Sequence, residues 1–156
     1  MNTFDKIIES NKIEGILRLP TPAEVEAHDK FVRLKEVNVE DLEEFVKVYQ
    51  PDARLRTYAG WDVIVGSYEP PPGGARIRRY LIELLQDIGS EKLNAWEAHV
   101  VYEQIHPFTD CNGRSGRALW YWMVRGTRYD ELGFLHAFYY QTLNSANRKF
   151  EHMELT

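Results

Sequence analysis

The chain has one cysteine, Cys111, among its 156 residues, so no internal disulfide can hold the fold. Long hydrophobic runs are also missing. The longest, Ala118 to Val124 (ALWYWMV), falls far short of the ~20 residues that cross a bilayer, and it reads as core. Positive charge is in deficit, 19 Lys and Arg against 24 Asp and Glu, for a formal net charge of -5. That balance argues against a broad nucleic-acid footprint and requires any phosphate ligand to be held locally. Residues 1–30 lack the cationic start and continuous apolar stretch of a secretory signal. A cytosolic location is therefore the expectation, with neither membrane nor nucleic acid as a partner. No internal repeat or low-complexity segment divides the chain.

What is present is enough apolar material, 44% of residues, for one domain over residues 1–156. Phe4, Ile7 and Ile8 fall at helical spacing, and Ser10 and Glu14, four apart, share a face if that helix continues to a stop at Gly15. Thr21, Pro22 and Glu24 form a helix start with a capping-box pattern, and Val25, His28 and Val32 mark its inner face. Asn38 with Asp41 starts another helix, whose stripe is Leu42, Phe45, Val46 and Tyr49, with Pro51 closing it. Between Arg56 and Tyr68, Trp61, Val63 and Val65 alternate with Asp62, Ile64 and Gly66, a period of two that predicts a short hairpin. Pro70 to Gly74 is an irregular connector.

Leu81, Leu84, Leu85 and Ile88 begin a further helical stripe ended by Gly89. Residues 93 to 105 carry apolar side chains on all sides, which predicts a central, buried helix. Another such helix starts near Arg114. A last one is expected from about Phe138, with Leu143, Ala146, Phe150 and Met153 on one face. The expected fold class is all-α, with a short β-hairpin beside a loop between two buried helices.

That loop, His106-Pro-Phe-Thr-Asp-Cys-Asn-Gly-Arg with Arg117 beyond it, concentrates a base, a carboxylate, an amide and two guanidiniums. Gly113 allows a tight turn, and the following helix directs unpaired amide protons and its positive dipole end at the loop, which makes an anion site. Arg114 and Arg117, three apart on one face, suit a polyphosphate. Asp110 is a hard oxygen ligand of the kind magnesium takes when water and phosphate complete its shell. His106 titrates near neutrality and can take a proton from a hydroxyl. Plainer readings stand beside each residue. His106 can be a capping or core histidine, Asp110 or Asn112 a helix cap, and the arginines a solvated face.

The segment resembles the Fic signature, His-Pro-Phe-x-Asp/Glu-Gly-Asn-Gly-Arg-x-x-Arg, with Cys111 at the one specified position that departs from it. The resemblance implies a Fic-like helical bundle in which His106 is the catalytic general base and Asp110 holds Mg2+. Cys111, Asn112, Gly113, Arg114 and Arg117 would line the phosphates of ATP, and Phe108 would be a core anchor. The related Doc branch, which transfers the terminal phosphate, has lysine in place of the Gly-Arg pair, so Gly113 and Arg114 favour AMP transfer to a Tyr, Thr or Ser hydroxyl on a target protein or on the chain itself. A homo-oligomer is compatible with the family's habits.

Residues 57–69 are similar to the family's flap, in which Trp61, Asp62, Val63, Ile64, Val65 and Gly66 would dock the target by strand pairing. Ser10-Asn-Lys-Ile-Glu14-Gly15 resembles the inhibitory motif of the N-terminally inhibited class, and the helix over residues 4–15 would carry it. Glu14 would then make a bidentate contact with Arg117 and occupy the guanidinium meant for the γ-phosphate. Cys111, next to a helix N-terminus and two arginines, is expected to have a lowered pKa and to oxidise readily. Alternatives are a relative that removes AMP or moves another phosphate-containing group, and a nucleotide-binding module impaired by Cys111.

Overall fold

Thr21 with Glu24, Asn38 with Asp41, and Asn94 with Glu97 each close a capping box in which side chain and backbone amide are exchanged across the first turn, a local device worth about 1 kcal/mol per cap. These starts help to set the helices of the computed structural model, which describes residues 1–143. The order is α1 (Thr3–Ile13), α2 (Pro22–Val32), α3 (Val39–Tyr49), α4 (Ala75–Gly89), α5 (Ala95–Ile105), α6 (Asn112–Val124) and α7 (Arg128–Leu132). Residues 134–143 form a further helix, α8. The last predicted stripe begins earlier than Phe138 for this reason, and its Ala146, Phe150 and Met153 lie outside the described residues. None of the described helices is long and apolar enough to cross a membrane.

The centre is α6. Arg114, Ser115, Gly116, Arg117, Ala118, Leu119, Trp120, Tyr121 and Val124 are all buried, and the helix packs against α1, α2, α3, α5 and α7. Leu42, Ile77, Leu81, Tyr102 and Phe108 complete the main core around it, and each fully buried aliphatic side chain contributes roughly 1.5–3 kcal/mol. The expectation of an all-round buried helix holds for α6 and not for α5. On α5 the buried residues are Ala98, His99, Tyr102 and Ile105, while Val100 is exposed. Val101 is half-buried against the core, so one apolar side chain on the outer face, Val100, does not outweigh the geometry of a helix at the side of the bundle.

Gly116 lets α5 and α6 approach closely. A Cβ there would lie 2.7 Å from Glu103 Oε1 and 2.9 Å from Tyr102 Cδ1.

The predicted hairpin is not two strands. Its regular pairing reduces to one bridge, Val65 with Tyr68, across a two-residue turn in which Gly66 has φ +59°. Trp61, Ile64 and Val65 are exposed, so the alternation has no layer to bury against, and an isolated two-stranded ribbon is marginal in water. The segment is instead tied down at its ends. Arg56 O accepts from Gly74 N at 2.9 Å, Asp62 Oδ1 accepts from Gly73 N at 2.8 Å, and the Tyr68 hydroxyl donates to Gln104 O at 2.9 Å. Extended pairing appears just before it, where Leu55 bridges Phe108.

Candidate active site

The site begins where α5 ends. His106 takes a left-handed conformation, φ 49° and ψ 62°, and Pro107 cannot extend the helix. The last carbonyls of α5 are gathered by Arg56, which is fully buried. Its Nη2 donates to Ile105 O at 3.0 Å, its Nε to His106 O at 2.7 Å and its Nη1 to Trp61 O at 3.0 Å. A cation at a helix C-terminus satisfies carbonyls that have no partner within the helix. The same guanidinium joins the exposed loop to the signature. Phe108, fully buried, anchors the loop in the core, and Arg56 N and Thr109 N hold it through Pro107 O at 2.9 Å and Arg54 O at 2.8 Å.

Asn112 locks the turn from inside. Its Oδ1 accepts from Phe108 N and its Nδ2 donates to Phe108 O, both at 2.8 Å. The side chain expected to line a ligand thus also ties the loop to itself. Cys111, with φ 68°, precedes α6, and no side chain caps that helix. The first-turn amides and the positive dipole end thus lack a side-chain cap, as an anion site requires.

The expected reactive thiol is absent. Cys111 is 3% exposed and belongs to the core cluster, and burial pushes its pKa up to about 12, with Arg114 and Arg117 pulling the other way. Desolvation of the thiolate outweighs the helix dipole and the arginines. The left-handed backbone costs a non-glycine residue about 1–2 kcal/mol, which burial of the side chain offsets.

His106 is largely buried. Its Nδ1 lies 3.3 Å from Glu103 O, and because a carbonyl only accepts, Nδ1 is the protonated nitrogen and Nε2 carries the free lone pair. Burial lowers the His106 pKa, as does Arg56, while the Glu103 carbonyl, Glu14 and Asp110 raise it. The ring is thus a neutral base near pH 7. Asp110 is 56% exposed in its side chain, and its Oδ1 accepts from Cys111 N at 2.6 Å. Arg114 and Arg117 are both buried, against the plainer reading of a solvated face. Arg114 Nη2 stands 4.0 Å from Asp110 Oδ1, and its buried Nε has no protein partner.

Arg117 meets α1. Its Nε donates to Ser10 Oγ at 2.8 Å, and its Nη2 donates to Ser10 O at 3.0 Å and to Glu14 Oε1 at 2.6 Å. The pairing with Glu14 uses one carboxylate oxygen rather than the expected two, because Ser10 takes the guanidinium's Nε edge. The same Oε1 sits directly over Gly113, where a Cβ would collide with it. A carboxylate thus stands at the uncapped amide end of α6. The residues Trp61 to Gly66 lie on the loop that Arg56 and Tyr68 attach to the end of α5, and none of them makes a strand with another segment.

Sequence reasoning missed Arg56 and Glu103. Nothing local in the sequence marked Arg56, whereas Glu103 stands three residues before His106, a helical spacing that places the two on one face. Glu103 Oε2 is 3.8 Å from His106 Nδ1. Its Oε1 is buried without a hydrogen-bond partner, and burial raises its pKa to about 7, with Arg117 lowering and Glu14 raising it. His28 and His99 are buried and structural. Among the described residues no group of three or more His, Cys, Asp or Glu side chains is arranged to hold a metal.

No curated protein matches the sequence. A family model described as Fic/DOC family matches residues 45–124, just over half of the chain, from α3 through the Arg56 anchor and the signature loop to the end of α6. With His106, the buried arginines and the uncapped helix inside that span, the chain belongs to the Fic/DOC family.

Proposed function

We propose that the protein is an adenylyltransferase that moves AMP from ATP to a Tyr, Thr or Ser hydroxyl of a target protein or of itself, and that Glu14 restrains it. Family membership supports a Fic-type transfer in general. The observation that carries the finer reading is the uncapped N-terminus of α6 with Arg114 and Arg117 buried beside it and a neutral His106 at the preceding helix end. His106 Nε2 takes the target's proton, the hydroxyl oxygen bonds to the α-phosphorus, and the bond from that phosphorus to the bridging oxygen breaks to release pyrophosphate. The amides of Asn112 and Gly113 and the two guanidiniums offset the charge that develops.

The exposed Asp110 carboxylate, alone among neighbours that donate rather than ligate, fits Mg2+, which keeps water and phosphate in most of its shell. When bound, Mg2+ neutralises phosphate charge. The exposed loop carrying Trp61, Asp62, Val63, Ile64, Val65 and Gly66 is the candidate dock for the target, through exposed backbone and aromatic surface.

Glu14 Oε1 and a phosphate oxygen would compete for Arg117 and for the space over Gly113, which supports restraint. Incubation with α-labelled ATP and magnesium tests the reading. Glu14→Gly is expected to transfer more AMP than the native chain, and His106→Ala in that background none. Equal or lower transfer by Glu14→Gly would overturn the restraint, and nucleotide binding without any adduct would overturn the transferase.

A further inference from the structure

Glu103 takes no part in the phosphate site, yet three contacts converge on it. Its carbonyl fixes the His106 tautomer, and its Oε2 lies 3.8 Å from the same Nδ1. Its Oε1 fits a recess kept open by the missing Cβ of Gly116, where it is buried without a donor. Unpartnered buried carboxylate oxygens are costly, and they persist where another function needs the group. The charged groups around it are Arg117 from α6, Glu14 from α1 and His106 after its own helix. Arg56 and Asp110 also act on His106, the first lowering and the second raising its pKa.

We propose that Glu103 is the positioning residue of the base: its carboxylate offsets the imidazolium formed when His106 accepts the target's proton, and Glu14 docked on Arg117 suppresses that support. The inference rests on the transferase reading above. The proton goes to Nε2, Nδ1 keeps its own, and the negative charge of Glu103 stabilises the cation without receiving a proton from it, as the carboxylate of a catalytic triad does. Glu14 enters because a second carboxylate near Arg117 disfavours ionisation of Glu103. With Glu14 withdrawn, Arg117 favours the charged form. One movement of α1 would thus clear the phosphate position and charge the support of the base.

The test uses Glu103→Gln, which keeps the shape and removes the charge, in the native and Glu14→Gly chains, with thermal melts to verify folding. In the Glu14→Gly background, Glu103→Gln is expected to lower kcat on the order of ten-fold with little change in KM for ATP, and to remove an ionisation from the pH profile of kcat. An unchanged kcat and profile, or a loss confined to KM, would overturn the inference. Two NMR titrations stand apart from activity. The His106 ring is expected to titrate at lower pH in Glu103→Gln, and the Glu103 carboxyl carbon at lower pH in Glu14→Gly than in the native chain. Unmoved titrations would overturn the inference even in an active enzyme. If the titrations move but Glu14→Gly transfers no AMP, the transferase reading fails and the pairing of Glu103 with His106 stands.

Discussion

At the residue scale, the departure from the signature glycine is accommodated by direction rather than by size. Cys111 adopts the left-handed backbone the turn demands and turns its thiol into the core. A thiol this buried, with its pKa pushed up to about 12, holds almost no thiolate at neutral pH. Labelling with a thiol reagent is expected to be slower in the native than in the denatured protein by on the order of 100-fold or more. Equal rates would show that the thiol is open to solvent rather than turned into the core.

Arg56 sits at the opposite extreme, a charge in the core held by three carbonyls. Removing it leaves those carbonyls unsatisfied, and Arg56→Ala is expected to cost roughly 3 kcal/mol by urea denaturation. Arg56→Lys should recover little, since an ammonium cannot present a planar fork. Full recovery by lysine would mean that charge alone matters there.

At the scale of elements, α1 acts as a clasp across α2 and α6. Ser10 and Glu14 hold Arg117, yet between them Asn11 is fully buried with neither side-chain atom hydrogen-bonded within the protein. An unsatisfied amide costs about 1–3 kcal/mol, so the helix that places Ser10 and Glu14 on Arg117 is docked less firmly than its burial would allow. Replacing Asn11 with Leu, similar in volume and without polar atoms, is expected to slow hydrogen exchange in α1 by roughly ten-fold. On the proposed reading of Glu14, it should also lower AMP transfer further. Faster exchange would indicate that the amide has a partner, such as a bound water.

At the scale of the whole molecule, stability should depend on pH through buried histidines. Burial lowers the pKa of both His28 and His99 to about 4 from an ordinary 6.5. Each is neutral in the folded protein, and the unfolded chain binds the extra protons. Their contribution is complete above pH 6.5 and is lost as pH falls toward 4, by on the order of 3 kcal/mol each. Glu103, raised to about 7, has the opposite sign: its contribution is present below its unfolded value near 4.5 and is lost as pH rises through 7. Two histidines outweigh one carboxyl, so Tm is expected to fall between pH 6.5 and 4.5. A flat profile would contradict the burial of both rings.

Features that are local in the chain could be read from its residues alone. Thr21 with Glu24 and Asn38 with Asp41 set helix starts because a cap needs only its own first turn. The signature loop was legible because its base, carboxylate and arginines are neighbours, and Ser10 and Glu14 because four residues make one helical face. What depends on how α1, α5 and α6 cross came from the packing of the folded chain. That crossing sets Glu14 Oε1 over Gly113 and fits Glu103 into the space beside Gly116, while the loop after α3 closes Arg56 on the end of α5. It also buries the Cys111 thiol and leaves Trp61 to Val65 without a layer to pack on. Burial and desolvation are sums over groups distant in sequence, so the period of two could not reveal a missing partner, nor a nearby helix dipole a thiol turned inward.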